Sequence, residues 1–122
     1  MKILVVDDER DIQMLFEQRF RKEIKEKSLE FAFAFSGEEA LTYLRKQNHQ
    51  TVLILSDINM PGMSGLELLR QIKDKYVIPP PRVMMITAYG DAENFEKAKQ
   101  LGADDFLTKP VDFQYLKEKF KL

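Results

Sequence analysis

The stretch LILSDINMPGMSG, residues 53–65, joins the end of a buried strand to an open loop. Its first three residues are apolar, which is typical of a strand that is covered on both faces of a sheet. Asp57 stands at the end of this strand, and Pro61, Gly62 and Gly65 then indicate a loop. The role of a carboxylate at this point depends on which other side chains reach the same place.

The chain has the length and composition of one globular domain. Its 122 residues are 44% hydrophobic and 32% charged, and 19 basic residues nearly balance 20 acidic ones. This balance gives no reason to expect nucleic acid or an anionic membrane as a partner. The sequence has no cysteine, and the apolar run at 3–6 is too short for a signal peptide or a membrane span. We therefore expect a single cytoplasmic domain over residues 1–122.

Five segments with the composition of β-strands alternate with five segments of helical spacing. The strands are predicted at residues 2–6, 29–35, 52–55, 82–87 and 105–108. The helices are predicted from about Ile12 to Ile24, after capping boxes at Ser36–Glu39 and Ser64–Glu67, from about Asp91 to Gly102, and at 113–120. The Pro-rich segment at 78–82 and His49 are predicted to lie in surface loops.

This alternation predicts an α/β fold with a five-stranded parallel sheet and helices on both faces. Right-handed crossovers leave few topologies, and for five strands the flavodoxin-like order 2-1-3-4-5 is the natural one. The second strand alternates between apolar and less apolar residues, which suits an edge of the sheet. The first and third strands are apolar throughout, which suits its centre.

In an open α/β sheet, chemistry takes place beyond the carboxyl ends of the strands, at the point where the strand order reverses. The side chains that the predicted fold brings to this edge are those of Asp7, Asp8, Asp57, Thr87, Thr108 and Lys109. A single polar residue at a strand end is more often an ordinary loop residue. Three carboxylates at neighbouring strand ends repel one another, however, so a pKa must rise or a cation must bind between them. Mg²⁺ suits such a site, because it takes one or two carboxylates and completes its shell with water and phosphate oxygens.

With a metal ion in place, an aspartate can act as a nucleophile and form an aspartyl-phosphate. Phosphoryl transfer depends mostly on positioning and on neutralisation of charge. Lys109 can supply positive charge, and Thr87 can donate a hydrogen bond to a phosphoryl oxygen. The sequence contains neither G-x-x-x-x-G-K nor G-x-G-x-x-G, so ATP and dinucleotide sites have no support.

Four motifs resemble the receiver domain of bacterial two-component response regulators, of the chemotaxis-regulator type. They are VVDDE (5–9), SDINMPGMSG (56–65), MITAY (85–89) and FLTKP (106–110). They occur in the order of that family, each at a strand end, and the resemblance covers essentially the whole chain. It implies that residues 1–122 are a receiver domain.

The resemblance implies a phosphoacceptor and a Mg²⁺ site. By this resemblance Asp57 accepts the phosphoryl group and also binds the metal. Asp8 is expected to bind Mg²⁺ directly, Asp7 mainly through a water molecule, and Asn59 through its backbone carbonyl.

The resemblance also implies a conformational switch. Thr87 is expected to contact the phosphoryl group, and Lys109 to pair with it, with a cis peptide bond before Pro110. Phe106 takes the place of the aromatic residue, usually tyrosine, that moves between exposed and buried positions in this family. Tyr89 lies where the family tunes the lifetime of the phosphoryl group, and a bulky side chain there favours slow dephosphorylation.

The function implied is that of a signalling module and not of an enzyme, apart from its own phosphorylation and dephosphorylation. The donor is expected to be a sensor histidine kinase or a histidine phosphotransfer protein. The fourth helix, fifth strand and fifth helix, at roughly 91–120, form the expected switching face, through which the domain contacts an output domain or a second copy. No contact with nucleic acid or membrane is expected.

Two other functions stay open at this point. One is a Mg²⁺-dependent phosphatase with an aspartate nucleophile. Such enzymes have the motif D-x-D-x-T around the nucleophile, but in this chain Asn59 stands in place of the second acid and Pro61 in place of the threonine. The other is an interaction domain that is never phosphorylated, which the complete set of site residues disfavours.

Overall fold

The computed structural model describes residues 1–47, 53–75 and 81–121. Within these segments the order of elements is β1 (Lys2–Val6), α1 (Asp11–Arg19), α2 (Arg21–Lys25), β2 (Glu30–Ala34), α3 (Gly37–Lys46), β3 (Leu53–Asp57), α4 (Gly65–Lys75), β4 (Arg82–Thr87), α5 (Ala92–Gln100), β5 (Asp105–Thr108) and α6 (Phe113–Lys119). His49, Val52 and most of the Pro-rich segment lie outside the described residues, so their predicted positions stay predictions.

The five strands form one parallel sheet in the order β2-β1-β3-β4-β5, as predicted. Successive residues of the central strands point to opposite faces, and both faces are covered. Leu4 and Val6 contribute to a core beneath α3, α4 and α5, whereas Ile3 and Val5 contribute to a core beneath α1 and α6. Two-sided burial is the reason why β1 and β3 are apolar throughout.

The first predicted helix is two helices in the structure. α1 ends at Arg19, and α2 begins at Arg21. Phe20, between them, has φ −111° and ψ 22°, outside the helical region. Its side chain is fully buried, and the chain leaves helical geometry at the residue whose ring enters the core. The prediction of helical structure in this segment is confirmed, whereas the prediction of one continuous helix is wrong.

The two predicted capping boxes are only partly alike. Ser36 Oγ accepts a hydrogen bond from the N–H of Glu39 at 3.1 Å, and the Glu39 carboxylate accepts one from the residue before Ser36 at 3.4 Å. Ser64 Oγ likewise accepts from the N–H of Glu67 at 3.2 Å. The carboxylate of Glu67, however, turns outward to pair with Arg70, so the second box is half formed.

Phenylalanine rings fill the core beneath α1 and α6. The ring of Phe16 is 5.1 Å from that of Phe113, 5.5 Å from Phe31 and 6.0 Å from Phe20, measured between centroids. The first two contacts are edge-to-face, which is a favourable arrangement of aromatic rings. Phe16 is therefore the centre of this cluster and joins α1 to β2 and α6.

We predict that Phe16→Ala lowers the free energy of unfolding by about 3–5 kcal/mol, because it removes a fully buried ring and leaves a cavity. Urea denaturation measures this change. Met14→Ala, on the same helix but 66% exposed, is the control and should change stability by less than about 0.5 kcal/mol. Equal losses in the two variants would contradict the central place of Phe16.

Candidate functional site

Three carboxylates meet where β1 and β3 end. The two strands are neighbours, and their register pairs Val6 with Ser56, so the next residues, Asp7 and Asp57, emerge side by side. One oxygen from each of Asp7, Asp8 and Asp57 lies within 4.8 Å of the other two. Asp7 and Asp57 are only 4% and 3% exposed. The predicted convergence of these side chains is therefore present in the structure.

The cluster disfavours full ionisation in the absence of a cation. Burial raises the pKa of the Asp7 carboxyl above its usual value, and the negative charge of Asp57 raises it further. The backbone N–H of Glu9 acts in the opposite direction, because it donates a hydrogen bond to Asp7 Oδ1 at 2.9 Å. This bond also holds the Asp7 side chain in place, a role for Glu9 that the sequence pattern did not indicate.

Lys109 supplies a positive charge to the cluster. Its Nζ donates a hydrogen bond to Asp57 Oδ2 at 2.6 Å. Burial acts to lower the pKa of Lys109, but the hydrogen bond and charge of Asp57, followed by the charges of Asp7 and Glu9, raise it overall. The lysine therefore stays protonated. The peptide bond between Lys109 and Pro110 is cis, as the family resemblance implied.

Thr87 reaches the same edge, but its hydroxyl is engaged elsewhere. The side chain is 6% exposed, and Oγ1 donates a hydrogen bond to the backbone carbonyl of Leu107 at 3.3 Å. The backbone carbonyl of Thr87 in turn accepts from the N–H of Lys109 at 2.9 Å. Thr87 thus connects the end of β4 to the end of β5, and its hydroxyl is directed towards β5 in this conformation.

The loop between β3 and α4, residues 58–64, is closed tightly behind Asp57. The N–H of Asn59 donates to Asp57 Oδ1 at 3.3 Å, and the N–H of Gly65 donates to the carbonyl of Ile58 at 2.7 Å. A β-carbon at Gly65 would lie 2.0 Å from the carbonyl oxygen of Asp57. Only glycine allows the start of α4 to approach the end of β3 this closely. The sequence showed a glycine here but not this reason for it.

Two aromatic residues near the edge differ in their packing. Phe106 is half-buried, and its ring lies 4.4 Å from that of Phe95 on α5, at an angle of 44°. Phe95 was not among the residues that the sequence indicated. Tyr89 is 89% exposed, so its ring packs on little of the protein and does not cover the buried carboxylate of Asp57.

The carboxylate cluster fits a hard divalent cation. Oxygens within 4.8 Å of one another can surround one ion, directly or through water, and Mg²⁺ prefers oxygen ligands and keeps several waters. Among residues 1–47, 53–75 and 81–121, this is the only group of three acidic or histidine side chains with such spacing. Within the same segments, no helix combines the length and apolar character that crossing a membrane requires.

Comparison with known proteins identifies the family. Residues 3–121 match the sequence model of the response regulator receiver domain. The chain is 34% identical over 122 residues to sporulation initiation phosphotransferase F of Bacillus subtilis, a match that covers 98% of this chain and 90% of that protein. It is 38% identical over 117 residues to response regulator protein PilR of Pseudomonas aeruginosa, covering 96% of this chain but only 24% of that longer protein.

Solved structures agree with the sequence comparison. A response regulator receiver domain protein from Clostridium thermocellum superposes with a TM-score of 0.83 at 31% identity, covering 98% of this chain and 90% of that one. The chemotaxis protein CheY4 of Vibrio cholerae superposes with a TM-score of 0.81 at 27% identity, covering 98% and 95%. Both similarities extend over nearly the whole chain.

The phosphatase alternative is not favoured. The family that matches is a signalling family, in which phosphorylation of an aspartate is the general mechanism. The phosphatase motif also requires a second acidic residue and a threonine at the positions where this chain has Asn59 and Pro61. The chain belongs to the response regulator receiver domains of two-component systems.

Proposed function

We propose that residues 1–122 form one receiver domain that accepts a phosphoryl group on Asp57 with Mg²⁺ as cofactor. The donor is a phosphohistidine of a sensor histidine kinase or of a histidine phosphotransfer protein. The observation that carries the proposal is the environment of Asp57: a buried carboxylate, 2.6 Å from Lys109 Nζ, that shares its site with the carboxylates of Asp7 and Asp8. A structural ion pair would not require two further acids.

In the proposed reaction an oxygen of Asp57 attacks the phosphorus of the phosphohistidine. The P–O bond forms as the P–N bond breaks, and the imidazole nitrogen that leaves takes up a proton. Mg²⁺, when bound, supplies positive charge to the phosphoryl oxygens as their charge increases. Asp57 lies at the carboxyl end of β3, so the donor is proposed to approach along this edge of the sheet.

The carboxylates are proposed to hold the metal ion in different ways. Asp8, the most accessible of the three, binds it directly, as does Asp57. Asp7, fixed by the N–H of Glu9, acts mainly through a water molecule. Asn59 contributes its backbone carbonyl from the loop that follows Asp57.

Lys109 and Thr87 are proposed to form new contacts with the phosphoryl group after transfer. Lys109 Nζ already lies 2.6 Å from Asp57 Oδ2, so it can exchange a carboxylate partner for a phosphoryl oxygen with little movement. Thr87 has to break its bond to the carbonyl of Leu107 before its hydroxyl can turn towards the site. Arrival of the phosphoryl group therefore removes one hydrogen bond between the carboxyl ends of β4 and β5.

The movement of Thr87 is proposed to change the packing of Phe106. The ring of Phe106 extends from the edge strand β5 and packs on Phe95 of α5, so a shift of the ring alters the face formed by α5, β5 and α6. These elements are the predicted fourth helix, fifth strand and fifth helix. This face is the proposed contact for an output domain or a second copy. The domain is not a turnover enzyme in this proposal, and it catalyses only its own phosphorylation and dephosphorylation. The exposed ring of Tyr89 can prolong the phosphorylated state only if it moves over the site.

The first test concerns the phosphoacceptor. Incubation with acetyl phosphate and Mg²⁺ should add one phosphoryl group, which hydroxylamine removes because it is an acyl phosphate. Asp57→Asn should not be labelled, and Asp112→Asn, a helix-capping aspartate outside the cluster, is the control that should be labelled fully. Mass spectrometry of the intact protein measures the added mass. Full labelling of Asp57→Asn would identify a different acceptor, and no labelling of the wild type would favour an interaction domain.

The second test concerns the metal ion in the unphosphorylated protein. Mg²⁺ at ten times its Kd should stabilise the fold by about 1.4 kcal/mol, because the unfolded chain does not assemble the three carboxylates. For a domain of this size the melting temperature should rise by roughly 4–8 °C.

Asp8→Ala separates the repulsion among the carboxylates from metal binding. Without Mg²⁺ it should melt above the wild type, since one of three like charges is removed, and it should lose most of the response to Mg²⁺. Differential scanning calorimetry with and without chelator measures both effects. A wild-type melting curve that ignores Mg²⁺ would exclude the acidic metal site.

The third test concerns the switch. Phosphorylation should change amide hydrogen exchange in α5, β5 and α6, whereas exchange in residues 10–47 should change little. Thr87→Ala should still be phosphorylated but should show a much smaller change in exchange, because the hydroxyl that couples Asp57 to β5 is absent. Mass spectrometry of peptides measures the exchange. Changes confined to residues 10–47 would place the switching face elsewhere.

A further inference from the structure

The first residue of α3 lies against the loop between β3 and α4. Gly37 is buried, and a β-carbon at its position would lie 2.6 Å from the sulfur of Met63, 2.9 Å from its Cγ and 3.0 Å from its Cβ. Atoms that are not bonded do not approach this closely, so the Met63 side chain occupies the space that any other residue at position 37 would need.

The backbone of α3 does not explain this glycine. Gly37 is not among the residues with positive φ, so an alanine could adopt the same conformation. Alanine is also the better helix former. Ser36 already caps the helix through the N–H of Glu39. The contact with Met63 is therefore the feature of the structure that requires a glycine here.

Met63 belongs to the loop that carries Asn59, and a hydrogen bond holds the chain near each end of this loop. Asn59 is tied to Asp57 at 3.3 Å, and Gly65 is tied to Ile58 at 2.7 Å. Gly62, between Met63 and Asn59, bends the chain with φ +74°. Rotation of the Met63 side chain can move its sulfur and Cγ but not its Cβ, so a β-carbon at position 37 would also shift the backbone of Met63. Only three residues separate Met63 from Asn59, so this shift would reach Asn59.

We infer that Gly37 and Met63 are positioning residues for the metal site. The Met63 side chain packs against the backbone of Gly37 and so fixes the distance between the loop and α3. This distance in turn directs the backbone carbonyl of Asn59 towards the carboxylates. The inference rests on the proposed function in one respect, which is that Asn59 is a ligand of Mg²⁺. Neither Gly37 nor Met63 is proposed as a ligand of the metal ion.

The experiment is a double-mutant cycle read out as Mg²⁺ affinity of the unphosphorylated protein by isothermal titration calorimetry. Gly37→Ala should weaken binding about tenfold, as expected when a group that orients a ligand is disturbed. In the Met63→Ala background, where the space is free, the same substitution should change the affinity less than about twofold, since the two positions are in contact and are not additive.

Gly90→Ala is the matched control. Gly90 has φ +82° and nothing within 4 Å of a β-carbon, so alanine there costs stability through the backbone alone. Gly90→Ala should leave the Mg²⁺ affinity unchanged, whereas the urea concentration at the midpoint of unfolding should fall. A loss of affinity in Gly90→Ala would show that general destabilisation explains the effect and would overturn the inference.

The outcomes separate this inference from the proposed function. A wild-type protein that binds no Mg²⁺ would overturn both. Wild-type binding together with an unchanged affinity in Gly37→Ala, or with equal losses in the presence and absence of Met63, would overturn the positioning role alone. A tenfold loss that disappears in the Met63→Ala background would support it.

Discussion

Repulsion among three carboxylates at the end of the sheet is the constraint on which the rest of the site depends. Asp7 and Asp57 are almost fully buried, so water screens their charges poorly, and Lys109 neutralises only part of them. A divalent cation and a phosphoryl group would together bring new charges of both signs to this place. Neighbouring residues can therefore respond to phosphorylation through electrostatic forces, without a large movement of the backbone.

The contacts proposed to transmit the response exclude one another. The hydroxyl of Thr87 can bond the carbonyl of Leu107 or face the site, but it cannot do both. The ring of Phe106 packs on Phe95 in this conformation, and a second position requires that this contact be given up. Elements with two discrete arrangements convert a local change of charge into a change of surface. The match of this chain to the receiver family is consistent with such a device.

The sheet order and the convergence of Asp7, Asp8, Asp57 and Lys109 at one edge could be predicted from sequence, because both depend on local patterns. Apolar runs and caps recur along the chain, and residues that end parallel strands meet at one edge. The break at Phe20 could not be predicted, because it depends on a ring entering a core built from distant segments. The direction of the Thr87 hydroxyl, the partner of Phe106 and the need for glycine at Gly37 and Gly65 likewise depend on neighbours that are remote in sequence.

The two sides of the sheet are built from different materials. The core on one side contains a cluster of phenylalanine rings around Phe16, whereas the core on the other side is mainly aliphatic and includes the unbranched side chain of Met85. Edge-to-face rings favour one geometry, whereas methionine adapts to irregular gaps. Of the four methionines in or against the two cores, three belong to the aliphatic side and one to the aromatic side. Phe106 packs against the aliphatic side, so a shift of its ring would meet neighbours that can repack, and α5, which contacts that ring through Phe95, would be displaced first.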